Sequence, residues 1–288
     1  MKKIFPLLYL WITPLISICQ EIYLADELLR MPVLITLNNG STGSGIFMQD
    51  SSNIFLITAR HVLFDEGTNR FIPESLKLKY YPKNITDGDT SIISIDFRKM
   101  KDSLVRFDKQ HDIAIIKIAH IEKNIGDTAF NVTLIPYLKT IYNVTTLNQY
   151  PSKMTKKYSQ IKIGTDIYLF GYPSSLGTKW VYPQSIDIFD YDRPLLRSGI
   201  IAGKNDKLKT IIIDAPSYWG NSGGPVFIKQ TEFLQVSYHL VGIVSGFIPF
   251  YDYIHSDKSG TYNLQVSNSG YSIIIPIEFA INLMKDFK

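Results

Sequence analysis

The sequence predicts an all-β protein, and three observations carry that prediction. Aromatic residues make up 13% of the chain, nearly all of them tyrosine (18) and phenylalanine (16). With abundant isoleucine and valine, they favour strands over helices. Residues 74–82 and 91–98 alternate apolar with polar, as half-buried strands do. Many short apolar runs are separated by turn residues at regular intervals, the pattern of a sandwich or a barrel, which spacing alone does not separate. At 288 residues the chain can hold one two-lobed domain or two small ones. Its formal net charge of +4 comes without a dense basic block, which excludes an argument for nucleic-acid binding from charge.

In chain order, residues 1–19 read as an export signal. Lys2 and Lys3 precede an apolar stretch from Ile4 to Ile18, and Ser17-Ile18-Cys19 offers a cleavage site that leaves Gln20 first. Such cleavage lowers the formal net charge to +2, since it removes two lysines. A membrane anchor is the competing reading, although the run is short for a full span. Cys19, the only cysteine, opens a third: a lipidated first residue, the one route by which the membrane enters as a partner. Either way the mature chain has no internal disulfide, and its core alone holds it together.

Ile22 to Met31 reads as a short helical lead-in. Val33–Leu37 is a strand and Asn38-Asn39-Gly40 a turn. Residues 45–48 and 53–57 form a hairpin around Gln49 to Ser52. Ile113–Ile118 closes a first unit, about residues 30–121. Residues 122–160, without a clean period, read as a connector. The second unit, about 161–275, takes strands at 167–170, 198–202, 210–214, 226–228, 239–246 and 271–275. A short helix over about 277–286 follows. No internal repeat is evident.

Chemistry centres on Gly220-Asn221-Ser222-Gly223-Gly224-Pro225, a glycine-bracketed turn around one serine. A serine hydroxyl needs an adjacent base to become a nucleophile, and the anion formed on attack needs donors already in place. The N–H groups of Gly220 and Ser222 are the candidate donors. His61 ends the apolar run Leu56-Ile57-Thr58-Ala59-Arg60-His61 and is the candidate base. Asp112 opens another apolar run and is the candidate orienting acid. The order His, Asp, Ser is one of three known for this constellation. The competing readings are a glycine-rich hairpin at Ser222, a core histidine at His61 and a strand cap at Asp112; three motifs in order outweigh each of these. His111 reads as a bystander, since strand neighbours point to opposite faces.

On these residues the chain resembles the trypsin-like (chymotrypsin-fold) serine peptidases, and among them the bacterial HtrA-type branch. Thr58-Ala59-Arg60-His61 is similar to that family's T-A-x-H motif, Asp112-Ile113-Ala114 to D-[IL]-A, and residues 220–225 to G-N-S-G-G-P. Supporting matches are Gly43-Ser44-Gly45, Phe170-Gly171-Tyr172-Pro173, Ser198-Gly199-Ile200-Ile201 and Asp214-Ala215. The likeness runs over roughly residues 30–285. It implies two packed six-stranded antiparallel β-barrels with a short C-terminal helix, and the site between them. It also implies a serine endopeptidase acting on polypeptide, with no cofactor and no metal, and with the leader read in residues 1–19 the expectation is an exported one. The rival class is a non-catalytic or partner-activated binding protein that keeps the fold.

The likeness also carries substrate-binding positions. Ser245-Gly246 resembles the strand that pairs with substrate backbone. Pro216 falls where the family places the base of the specificity pocket. No acid stands there, so a preference for lysine or arginine is not expected; Tyr218 and Phe247 point to apolar or small side chains. Asn221 stands where many relatives carry the aspartate that pairs with a freed N-terminus, so activation by that cleavage is not expected. The chain length leaves no room after the helix for the PDZ peptide-binding module of many HtrA-type proteins. Asp87-Gly88-Asp89 lacks the remaining ligands of a calcium loop, and no His/Cys cluster suggests zinc.

Overall fold

The computed structural model describes residues 26–81, 90–98, 104–123, 130–135, 138–140, 147–176, 190, 193–232, 235–256, 258 and 260–287. The signal region with Cys19, and Asp87 to Asp89, lie outside them. A one-turn helix, α1 (Asp26–Leu29), leads into the first lobe, which matches the short lead-in expected there. Strands β1 (Pro32–Leu37), β2 (Thr42–Asp50) and β3 (Asn53–Thr58) form a meander, followed by the short helix α2 (Arg60–Leu63). β4 (Ser75–Tyr80), β5 (Ser91–Asp96), β6 (Val105–Phe107) and β7 (Ala114–Lys123) complete the main part of the lobe. Their order in the sheet is β6-β7-β3-β2-β1-β4-β5.

Burial follows position in the sheet. β3 lies between β2 and β7 and is buried on both faces beyond Asn53, so its sequence is a continuous apolar run. β4 and β5 alternate, with Leu76, Leu78, Ile93 and Ile95 turned to the core.

The residues read as a connector supply three further strands, β8 (Phe130–Leu134), β9 (Leu138–Thr140) and β10 (Gln149–Pro151). β8 pairs with β7, β9 with β5, and β10 with β2, the last in parallel. They bring the first lobe to a ten-stranded sheet. These are segments of three to five residues whose strand character comes from the ladder they join, which is why no period marks them in the sequence.

The second lobe is a closed six-stranded barrel, as expected. β11 (Asp166–Gly171), β12 (Leu195–Asn205), β13 (Thr210–Asp214), β14 (Pro225–Glu232), β15 (Gln235–Ser256) and β16 (Thr261–Pro276) close in the order β11-β12-β13-β16-β15-β14. β15 and β16 run far beyond the segments 239–246 and 271–275 read from sequence. Their pairing continues to Ser256↔Thr261 and forms an arm outside the barrel. Pro249 and Gly270 mask that continuation in the sequence, since both residue types ordinarily break a strand.

Helix α3 (Glu278–Met284) ends the fold. Ile277, Ala280 and Met284 join the core of the first lobe, and the Phe287 ring meets Phe55 at 5.2 Å. The same core takes in Phe170, Phe227, Leu240 and Ile243 from the second lobe, whose own interior is a separate cluster around Ile167, Leu169, Ile213 and Val241. One apolar body therefore spans the boundary between lobes. Among the described residues no helix is long and apolar enough to cross a membrane.

Candidate active site

The pairing of β3 with β7 places two of the three candidate residues. The strands are antiparallel, with Thr58 opposite Ala114 at the end of the ladder. The chain leaving β3 and the chain entering β7 therefore meet at one edge, and there stand His61 on α2 and Asp112 before β7. His61 Nδ1 lies 2.7 Å from Asp112 Oδ2, and the His61 backbone N–H donates to Asp112 Oδ1 at 2.9 Å. Both carboxylate oxygens thus engage His61, which fixes the imidazole with Nε2 directed away from the acid.

A third donor comes from the other lobe. The Ser245 hydroxyl donates to Asp112 Oδ2 at 2.6 Å. Burial pushes the Asp112 carboxyl up, but the hydrogen bond and charge of His61, the Ser245 hydroxyl and the His61 N–H outweigh it and hold the acid below its ordinary value. Burial pulls the His61 imidazolium down; the hydrogen bond and charge of Asp112 exceed that effect, and the net direction is up from 6.5.

The loop before Asp112 is held independently. Asp108 Oδ1 accepts from the backbone N–H groups of Gln110 and His111, each at 2.8 Å. Arg60 spans back to the carbonyls of Asp108 and Lys109, both at 3.2 Å. His111 contacts Asp108 at 3.0 Å and stacks on Phe279 of α3, ring centroids 3.5 Å apart. The expected bystander is thus a packing residue that ties the acid's loop to the last helix.

Ser222 sits on the turn between β13 and β14. Gly220 has φ +94° and Gly223 φ +84°, a region that costs other residues about 1–3 kcal/mol. Space forbids a side chain there as well. A Cβ on Gly223 would lie 2.1 Å from the Ser44 carbonyl oxygen, and one on Gly220 would lie 2.2 Å from that of Tyr172. The turn is closed by Asn221 N–H to Tyr218 O (2.9 Å), Gly224 N–H to Asn221 O (2.8 Å) and Gly223 N–H to Val244 O (2.7 Å). The amides of Gly220 and Ser222 take no part in these bonds. Asn221 is buried, with its Oδ1 unpaired among the described residues.

The turn is also clamped from the first lobe, through a residue that sequence reasoning valued only as part of a motif. Ser44, fully buried on β2, donates its backbone N–H to Ser222 O at 2.8 Å and its hydroxyl to Gly220 O at 2.7 Å. Its hydroxyl accepts from Tyr172 N–H at 3.0 Å, and its carbonyl accepts from the Thr58 hydroxyl at 2.7 Å. A serine between two glycines before an apolar strand was the available signal, but its partners are 128 and 176 residues away. The Ser222 hydroxyl donates to the Ser245 carbonyl at 3.4 Å. Ser245 therefore links the pair from the first lobe to the serine of the second.

The remaining candidate positions are nearby on β15 and on the segment before the turn. A Cβ on Gly246 would meet nothing within 4 Å, so this stretch of strand faces open space. Pro216 is half-buried, and the backbone around it is pinned. The Ser272 hydroxyl donates to Ala215 O at 2.7 Å, and Asn268 Nδ2 donates to Ser217 O at 2.6 Å. Arg197 lies over the Tyr218 ring at 4.7 Å, and the rings of Trp219 and Phe247 meet edge-on at 6.5 Å.

With this geometry in view, a family model described as a trypsin-like peptidase domain matches residues 43–234, two thirds of the chain. No curated protein matches. Among solved structures, the HtrA-type protease AlgW with a tripeptide is 17% identical with a TM-score of 0.49. The match covers 91% of this chain, which spans 62% of that one. Deg5 is 16% identical with a TM-score of 0.49, covering 89% of this chain and 88% of that one. A thermostable serine protease, AL20, from an extremophilic microorganism is 13% identical with a TM-score of 0.48, covering 89% and 95%. The matched segment takes in His61, Asp112 and Ser222 together with the Ser44 clamp, and the chain belongs to the family of trypsin-like peptidases.

Proposed function

We propose that the protein is an exported serine endopeptidase that cleaves polypeptide through His61, Asp112 and Ser222. The observation that carries this reading is the His61–Asp112 contact at 2.7 Å, joined through Ser245 to a serine on a glycine-bracketed, doubly clamped turn. Ser222 Oγ attacks the scissile carbonyl carbon while His61 Nε2 takes its proton. Asp112 keeps the imidazole in the tautomer that can do so and steadies the imidazolium. The N–H groups of Gly220 and Ser222, uncommitted within the turn, receive the oxyanion. His61 then gives its proton to the leaving amine, and water, deprotonated in the same way, releases the acyl group.

Ser245 adds a step of its own. Its carbonyl accepts the resting Ser222 hydroxyl, and a substrate strand paired along Ser245-Gly246 presents a backbone N–H to that same carbonyl. Binding thus displaces the hydroxyl proton from the carbonyl and leaves it for His61. Position 216 is a proline and not an acid, and Tyr218 follows two residues later, so an apolar or small side chain is the preferred neighbour of the scissile bond. Export rests on the leader read in residues 1–19.

The test is labelling with a fluorophosphonate probe. Wild type is expected to label, and Ser222→Ala and His61→Ala to lose the label. A well-folded wild type that does not label would overturn a constitutively active enzyme and favour a binding protein that keeps the peptidase fold or a site that a partner must first put in order. Release of acid-soluble peptides from casein then reports on endopeptidase activity.

A further inference from the structure

The arm formed by β15 and β16 is a two-stranded ribbon with one apolar face. Directly paired residues of an antiparallel ladder share a face. The pairs Tyr251↔Val266, Tyr253↔Leu264 and His255↔Tyr262 therefore lie side by side on one surface. Paired residues on the other surface are Phe250↔Ser267, Asp252↔Gln265 and Ile254↔Asn263, which mixes polar with apolar. The first surface is open to solvent: Tyr253 is 74% exposed and Tyr262 79%, with Tyr251, Leu264 and Val266 about half exposed. It carries no lysine, arginine, aspartate or glutamate. A two-stranded ribbon standing alone in water is marginally stable, and an apolar face packed against another layer is what ordinarily stabilises it.

We propose that this face is a self-association surface and that its occupant is a second copy of the chain, packed arm against arm about a two-fold axis. Three features select that occupant. A two-fold contact sets a surface against itself, and a face without carboxylates or cationic side chains suffers no like-charge repulsion when so placed. The exposed area also fits. The three tyrosines, the leucine and the valine expose on the order of 600 Å² together. Two copies then bury roughly 1,200 Å², the lower bound of specific interfaces. The product, two ribbons face to face, is a small four-stranded sandwich of ordinary sheet-on-sheet type. An anionic membrane is a poorer occupant, because residues 249–268 carry two aspartates against one lysine. The proposal does not depend on peptidase activity.

Sedimentation velocity on protein purified from a host expressing the full chain tests it. Dimer is expected at tens of micromolar and monomer well below one micromolar, since the area is at the small end. Tyr253→Asp with Tyr262→Asp is expected to hold the protein monomeric up to 100 micromolar, with the wild-type circular-dichroism spectrum. Leu264→Lys is expected to do the same, and Phe250→Asp, on the opposite face, to leave the dimer intact. A wild type that stays monomeric at 100 micromolar would overturn the proposal. So would a dimer that survives the double substitution, or one broken by Phe250→Asp alone. Monomer that instead sediments with phosphatidylcholine vesicles, through Tyr253 and Tyr262, would assign the face to lipid and overturn the choice of a second copy.

Discussion

Asp112 receives three donors at 2.6–2.9 Å, and the consequence is read in the titration of His61. Catalysis needs the imidazole neutral, while Asp112 favours its charged form. The acid limb of kcat/KM is therefore expected to have its midpoint above 6.5, the ordinary histidine value. Asp112→Asn should remove that upward shift and lower kcat by about 10⁴-fold, because the amide permits the wrong tautomer. A pH–rate profile of both proteins on one peptide substrate checks it; a wild-type midpoint at or below 6.5 would contradict the assigned pairing. At this scale the sequence was most informative. His61, Asp112 and Ser222 each sit in a motif whose residue types serve the chemistry directly. The two roles of Ser245, hydroxyl to Asp112 and carbonyl to Ser222, were not legible, because they depend on a crossing between lobes that no local pattern encodes.

Among elements, the turn at Ser222 and its clamp on β2 matter most. Gly223→Ala is expected to destabilise the fold by more than about 3 kcal/mol, since the new Cβ meets both a forbidden φ and the Ser44 carbonyl. Ser44→Ala adds no bulk. It removes one accepted and one donated hydrogen bond and leaves buried groups unpaired, a loss of about 1–3 kcal/mol. Its effect on probe labelling should exceed its effect on stability, because Gly220 is one of the two proposed oxyanion donors. Urea unfolding and labelling rates on the two variants separate these effects. Strand existence was legible wherever apolar residues alternate or run together. β8, β9 and β10 were not, because their partners make them strands, and the arm was hidden by Pro249 and Gly270 inside it.

Across the whole molecule, the coupled pair links pH to stability. The folded His61 value is raised, so its contribution is fully present below about 6.5 and is lost as pH rises through the folded value. Asp112 is depressed, so its contribution is present above about 3.9 and is lost as pH falls through its folded value. Between those limits both act. Urea midpoints should be higher at pH 5.5 than at pH 8.5, and His61→Ala should remove that part of the difference. The pH that favours the fold therefore opposes the one that favours reaction.

The docking of α3 on the first lobe has a consequence in time. Residues 278–287 cover Phe55 and stack on His111, next to the acid of the site. A ribosome reaches them about 6–25 s after it passes β10, the last strand of the first lobe. Throughout that interval His61 and Asp112 exist on a lobe whose apolar surface is still uncovered, and Ser222 has either not been made or has no finished barrel to hold it. The order of synthesis itself thus withholds the proposed nucleophile until α3 has arrived.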